Sequence, residues 1–276
     1  MLDNPISALL DGGGMVFRCP IEPLRPYLGC FWAISATPET SVQAFPDGSA
    51  YLAVEFAQGR PPHSILIGPR LKPSHPSTNG ADQLLGARLQ PGIVFALLQI
   101  PAHQLVERRE PLRSFLCSEA EELEARLGRA DGTQERFDVL ESFLLQKLSN
   151  VQMDARVSKA LSVIAETAGS IRVVELARAC GLGHRQLERL MRRWVGLSPK
   201  RLARIARFQA ALGCVTAEPQ RYWTDVAAEQ GYFDQAQLIH EFTDLAGATP
   251  TRLTSARNGD SVTARCNATS RTPSAP

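Results

Sequence analysis

The sequence predicts an α+β protein, with a mixed strand and helix N-terminal domain over residues 1–150 and an all-α domain over 151–256. Three observations predict it. Over about the first hundred residues, Pro and Gly separate short apolar runs of strand length. From 154 to 253 the apolar residues instead recur at spacings of three and four. Within that second stretch, one helix-turn-helix pattern occurs twice, 50 to 51 residues apart.

The strand-length runs are MVFRC (15–19), CFWAIS (30–35), SAYLAVEF (49–56), SILIGP (64–69) and QLLGARL (83–89). Turns fall at PDG (46–48), QGRPP (58–62) and PSHPSTNG (73–80). A barrel is one closure open to such strands. After Pro91, GIVFALLQIPAHQLVER reads as helix broken at Pro101, whose ring cannot continue it. Two further helices are predicted over 119–129 and 133–149; the second carries Phe137, Leu140, Leu144 and Leu148 on one stripe, which fits either a dimer interface or internal packing. The polar segment 257–276 is predicted to be a disordered tail.

Composition narrows the function classes. Hydrophobic residues make up 44% of the 276, ample for buried cores, and no run approaches the length of a membrane span. The N-terminus lacks the basic start and cleavage site of a signal peptide, so the expected address is the cytoplasm with no membrane partner. Cysteines at 19, 30, 117, 180, 214 and 266 form no CxxC pair and are read as reduced thiols. The five histidines are scattered, so neither a metal site nor a catalytic site is expected, and the chain is not read as an enzyme.

Charge is distributed unevenly. Residues 172–207 hold 10 Lys+Arg against 2 Asp+Glu, a net of +8, whereas 208–256 hold 2 against 6, a net of −4. Such a concentrated positive field is the footprint of a site for phosphate backbones. Its centre is HRQLERLMRRW (184–194). Leu187, Leu190, Met191 and Trp194 sit at i, i+3, i+4 and i+7, while Arg185, Glu188, Arg189 and Arg192 repeat that spacing two residues earlier. At about 100° per residue the basic stripe faces away from the core. An arginine face can also serve only solubility, so its neighbours decide its meaning. VVELARAC (173–180), ended by Gly181, leads through a tight turn into it, which makes a helix-turn-helix over 172–196.

The pattern recurs over 223–247: Leu176-Ala177 and Gly181 reappear as Val226-Ala227 and Gly231. Leu187, Met191, Gly196, Ser198-Pro199 and Leu202 reappear as Leu238, Phe242, Gly247, Thr249-Pro250 and Leu253. A predicted helix over 198–215 joins the copies and could hold them at the spacing of two successive major grooves, about 34 Å. Gly196 and Gly247 are expected to end their helices.

These motifs carry a family likeness. ELARACGLGHRQLERLMRRWVGLSPKRL, WTDVAAEQ and GYFDQAQLIHEFTDLAGATPTRL resemble, in order and spacing, the double helix-turn-helix of the AraC/XylS transcription regulators over roughly 155–253. PLRPYLGCFWAIS and the runs after it resemble an N-terminal domain of some uncharacterised members, with no ligand implied. The resemblance implies a promoter-DNA-binding activator, dimeric, meeting RNA polymerase and carrying no cofactor. It places base contacts at His184, Arg185, Glu188 and Arg189 in the first copy and at Gln235, Ala236, Ile239 and His240 in the second. Arg192, Arg193, Lys200, Arg201 and Arg204 are assigned to phosphates. Glu241, Asp244 and Asp225 would repel a backbone unless they face away, so the first copy is expected to supply most of the affinity.

The N-terminal domain is expected to sense or to dimerise. Tyr27, Phe31, Trp32, Phe45, Tyr51 and Phe56 fit either a small-molecule pocket or an ordinary core, and Arg18, Arg70 and Arg88 either an anionic effector or solvent. Two other function classes compete with the regulator. A DNA-repair enzyme with regulatory activity would need a metal-activated cysteine cluster or a Pro-Cys-His site, and the sequence has neither. A protein-interaction module would use the basic helix on acidic partners.

Overall fold

The computed structural model describes residues 8–11, 14–37, 40–75, 80–218 and 220–255, so the predicted tail lies outside the described residues. The strands are β1 (Ala8–Asp11), β2 (Gly14–Arg18), β3 (Leu28–Ser35), β4 (Ser41–Ala44), β5 (Ala50–Phe56), β6 (His63–Ile67), β7 (Gln83–Leu89) and β8 (Arg109–Pro111), of which β2, β3, β5, β6 and β7 are the five predicted apolar runs. All described pairings are antiparallel. β1 and β4 form a two-stranded sheet, and the others a six-stranded sheet in the order β2-β3-β7-β5-β6-β8. That sheet ends at edge strands β2 and β8 and does not close into a barrel.

Alternation along the central strands sends side chains to two cores. Phe31, Ala33, Leu52, Val54, Leu85 and Ala87 face one side, and Cys30, Trp32, Ile34, Tyr51, Ala53 and Leu84 the other. Helices α1 (Ile93–Leu98), α2 (Arg113–Arg129) and α3 (Gly132–Leu148) follow. The stripe of Phe137, Leu140, Leu144 and Leu148 on α3 lies at most 1% exposed against the first of those cores. It is internal packing, not an available dimer face. Phe31, Trp32, Phe45, Tyr51 and Phe56 are likewise buried in cores. Arg18 bridges Asp138 and Glu141 on α3, each at 2.5 Å, and Arg70 lies over the Tyr51 ring. Cys30 is buried, Cys117, Cys180 and Cys214 are free thiols, and Cys19, against expectation, is held in a disulfide.

From Ala155 the described chain is helical: α4 (Ala155–Glu166), α5 (Val173–Ala179), α6 (His184–Trp194), α7 (Pro199–Ala217), α8 (Trp223–Glu229), α9 (Gln235–Ala246) and α10 (Pro250–Ser255). Among the described residues no helix is long and apolar enough to cross a membrane. These helices share one core, and Phe45 from the segment after β4 enters it. Its ring packs edge-on against Phe208 of α7, which packs in turn against Phe242 of α9.

The two halves meet at further points. Gln209 Nε2 donates to the Pro46 carbonyl, and Gln43 Nε2 to that of Ala246. The C-terminal end of α6 rests on α1, with Trp194 at 4.6 Å from Phe95 and the Arg193 guanidinium over the same ring. Gly196, with φ of 87°, then turns the chain against residues 102–106. A Cβ there would stand 2.9 Å from both the Ala102 carbonyl oxygen and Val106 Cγ2. Gly247 occupies the equivalent turn with φ of 72°, and a Cβ there would meet nothing nearer than Pro73 Cγ at 3.3 Å. Gly196→Ala is therefore expected to lower stability by about 1–3 kcal/mol, backbone strain plus a clash. Gly247→Ala should cost only the strain, about 1 kcal/mol, and urea unfolding midpoints of the two variants compare them directly.

Candidate nucleic-acid interface

Each helix-turn-helix is built by the same local device. α5 buries Leu176 and Ala177, and α8 buries Val226 and Ala227. The chain leaves each helix through a glycine in the left-handed region, Gly181 at 64° and Gly231 at 69°, where a side chain would be strained. The next N–H then folds back: Leu182 donates to the Ala177 carbonyl at 2.9 Å, and Tyr232 to that of Ala227 at 2.9 Å. The one extra residue of the second turn is taken up before the helix starts. Gly183 precedes α6, its N–H donating to Gln186 Oε1, whereas α9 is preceded by Asp234, whose Oδ1 accepts from the Gln237 N–H. Phe233 N–H donates to Gln237 Oε1, which completes a reciprocal cap that isolated Gly183 cannot offer.

Packing fixes which way each recognition helix faces. Leu187 and Met191 are fully buried on α6, as are Leu238 and Phe242 on α9. The opposite side of α6 presents His184, Arg185, Arg189, Arg192 and Arg193 exposed, with Glu188 half-buried. Lys200 and Arg201, at the start of α7, are also exposed. None of Arg185, Arg189, Arg192, Arg193, Lys200 and Arg201 is drawn into an ion pair with another described residue. Arg192 and Arg193 are in the last turn of α6, where a cation also opposes the negative end of the helix dipole.

On α9 the matching surface is Ala236 and His240, exposed, with Gln235 and Ile239 half-buried beside them. α7, which separates the two recognition helices, is 19 residues long and so spans about 28 Å. Among the described residues no group of three or more His, Cys, Asp or Glu is placed to hold a metal ion.

Arg204 stands apart from the other basic residues. Its Nε bonds both carboxylate oxygens of Glu241, at 2.7 and 2.9 Å, and its terminal nitrogen bonds Asp244. Partial burial opposes its charge, but the bonds it donates to Asp244 and Glu241 outweigh that and raise its pKa above the ordinary guanidinium value. Arg204, expected at phosphate, thus has its Nε and one terminal nitrogen engaged by the two acids of α9. Glu229 and Glu218 are similarly held by Arg221. Arg204, from outside the segment, thus offsets one of the second unit's four excess negative charges. Sequence reasoning missed the partnership because its members lie 37 and 40 residues apart on different helices.

Comparison with known proteins assigns both halves to domain families. Residues 176–256 match a helix-turn-helix domain, and residues 18–111 match a domain of unknown function. No curated protein matches the chain. Similar solved structures include ToxT from Vibrio cholerae O395, 9% identical with a TM-score of 0.41 over 92% of this chain and 99% of that one. Another is unsaturated-fatty-acid-bound wild-type ToxT from Vibrio cholerae strain SCE256, 11% identical with a TM-score of 0.40 over 90% of this chain and 94% of that one.

Proposed function

We propose that this chain, whose residues 176–256 are an AraC-type helix-turn-helix domain, regulates transcription by binding promoter DNA through both of its helix-turn-helix units. The observation that carries the reading is the exposed basic face of α6 and the start of α7, with six cations outside any described ion pair. Arg185 and Arg189 read guanine edges, where a guanidinium fork can donate to O6 and N7 together. Glu188 accepts from cytosine N4, and His184 reaches a base at the helix start. Arg192, Arg193, Lys200 and Arg201 hold phosphates and set affinity without reading sequence. In the second unit Gln235 pairs with adenine, Ile239 and Ala236 meet a thymine methyl, and His240 reaches a base or phosphate. Residues 1–150 regulate this binding, with a small-molecule effector as input. On family likeness the regulator is a cytoplasmic homodimeric activator that meets RNA polymerase.

A mobility-shift titration against salt tests the reading. With about four phosphate contacts, log affinity should fall against log salt with a slope of about −3.6, and Arg201→Ala should make it shallower by about 1 while preserving the preferred promoter fragment. A flat salt response with no preferred fragment would favour the protein-interaction reading instead.

Arg204 has an indirect part in this scheme. Arg204→Ala frees Glu241 and Asp244 to repel the backbone, and affinity is expected to fall about threefold or more. Adding Glu241→Gln and Asp244→Asn should restore it, whereas a direct phosphate role for Arg204 predicts no rescue; anisotropy titration of the single and the triple variant against the wild type decides.

A further inference from the structure

A cavity of about 690 Å³ lies where the N-terminal sheet meets the C-terminal helices, a volume within the ordinary range for small-molecule sites. Its floor is the end of β7 and the turn before β5, and its other wall is α4 and α7. Tyr27, Pro91, Met153, Leu161, Leu202 and Ala206 make most of the lining apolar. Two charged residues, Arg88 and Asp47, stand at the floor, each 4% exposed.

Their bonding decides what the cavity can hold. Arg88 Nε donates to Asp47 Oδ2 at 2.8 Å and to Ser49 Oγ at 3.0 Å. Asp47 also accepts from the Tyr51 hydroxyl at 2.7 Å and the Ser49 N–H at 3.0 Å. The guanidinium charge is therefore compensated by an adjacent carboxylate. The remaining charged lining residue is Glu166, an exposed carboxylate that already accepts from Ser162. Nothing in the lining offers uncompensated positive charge, which removes the expectation of an anionic effector at Arg88. Gln90, Gln152 and Ser158 supply neutral hydrogen-bonding groups.

We infer that this cavity binds one uncharged, predominantly apolar small molecule carrying a hydrogen-bonding group. Its walls belong to both halves of the chain. Leu202 and Ala206 are on the helix that spaces the two recognition helices, and α4 contributes Val157, Ala160 and Ile164 to the core beneath them. An occupant therefore bears on the spacing of α6 and α9, and this regulatory consequence rests on the DNA-binding reading, while occupancy does not.

The test uses the full chain with N-phenyl-1-naphthylamine, an uncharged apolar dye, and 1-anilinonaphthalene-8-sulfonate as its anionic counterpart. The neutral dye should give saturable fluorescence with a single site and bind about tenfold tighter than the sulfonate. Leu161→Trp, which fills the cavity, and Ser158→Trp, at an exposed position on its rim, should each weaken the neutral dye about tenfold with unchanged far-UV circular dichroism. Unsaturable binding, tighter binding of the sulfonate, or wild-type affinity in a folded Ser158→Trp variant would overturn the site. Dye saturation should also change promoter affinity about fivefold in the wild type but not in Ser158→Trp. A dye that binds at the site with no such change overturns the regulatory consequence, and a chain that binds the dye but no promoter overturns the DNA-binding reading instead.

Discussion

Arg189→Ala is expected to weaken binding to the natural operator by about ten- to a hundredfold, the cost of one bidentate guanine contact, while His240→Ala should cost about threefold or less. Arg189 lies exposed in the middle of α6 with its fork outside any described ion pair, flanked by Arg185 and Arg192 on the same stripe. Its field is reinforced by cations on both sides, whereas His240 sits one residue before Glu241 on a helix where Arg204 alone faces two carboxylates, Glu241 and Asp244. Arg189→Lys separates charge from geometry: a lysine keeps the attraction but cannot make the two parallel bonds, so affinity should recover in part and specificity should not. Anisotropy titrations at one fixed salt concentration, on the operator and on a version with the guanine replaced, measure all three variants. Equal losses for Arg189→Ala and His240→Ala would end the division of labour between the two units.

Both helix-turn-helix units were legible in the sequence because their determinants are local. Leu187 and Met191 recur as Leu238 and Phe242 at helical spacing, and Gly181 and Gly231 mark turns that only a left-handed backbone closes. The five longer strands of the main sheet were legible for the same reason, since alternation is written into adjacent residues. β4, with four residues, and β8, with three ending in Pro111, exist by virtue of partners distant in sequence. Nothing in SVQA or REP alone asks for a strand. α2 begins six residues before the predicted start, across irregular backbone at Leu116 and Cys117 that breaks the helical period. The candidate site divides in the same way. Exposure of the α6 arginines follows from one helix's periodicity, but the clamp of Arg204 on Glu241 and Asp244 needs the packing of α9 on α7. Arg88 was the hardest to place, because an arginine in QLLGARL reads as the solvent-facing member of a strand. Its burial depends on a carboxylate in the PDG turn 41 residues earlier.

That buried pair carries the largest expected stability effect. Asp47→Ala is expected to cost about 3–5 kcal/mol, because it leaves the Arg88 guanidinium, 4% exposed, without its carboxylate. The same substitution strands the Tyr51 hydroxyl and the Ser49 N–H, which both donate to Asp47. Burial and the neighbouring Asp47 charge hold the Tyr51 pKa well above its ordinary value, so the phenol remains a neutral donor. Burial likewise pushes the Cys30 thiol up to about 12, with Arg88 only partly opposing the shift. Arg88→Met should cost less than Asp47→Ala, since it removes the cation and leaves a carboxylate that still accepts two other bonds. The double variant Asp47→Ala/Arg88→Met closes the cycle with the two single variants. If the pair's worth is mainly that each charge compensates the other, the double variant should be more stable than Asp47→Ala alone. Urea unfolding midpoints for the three variants give the coupling, and additive losses would mean that Arg88 and Asp47 are held by their other neighbours rather than by each other.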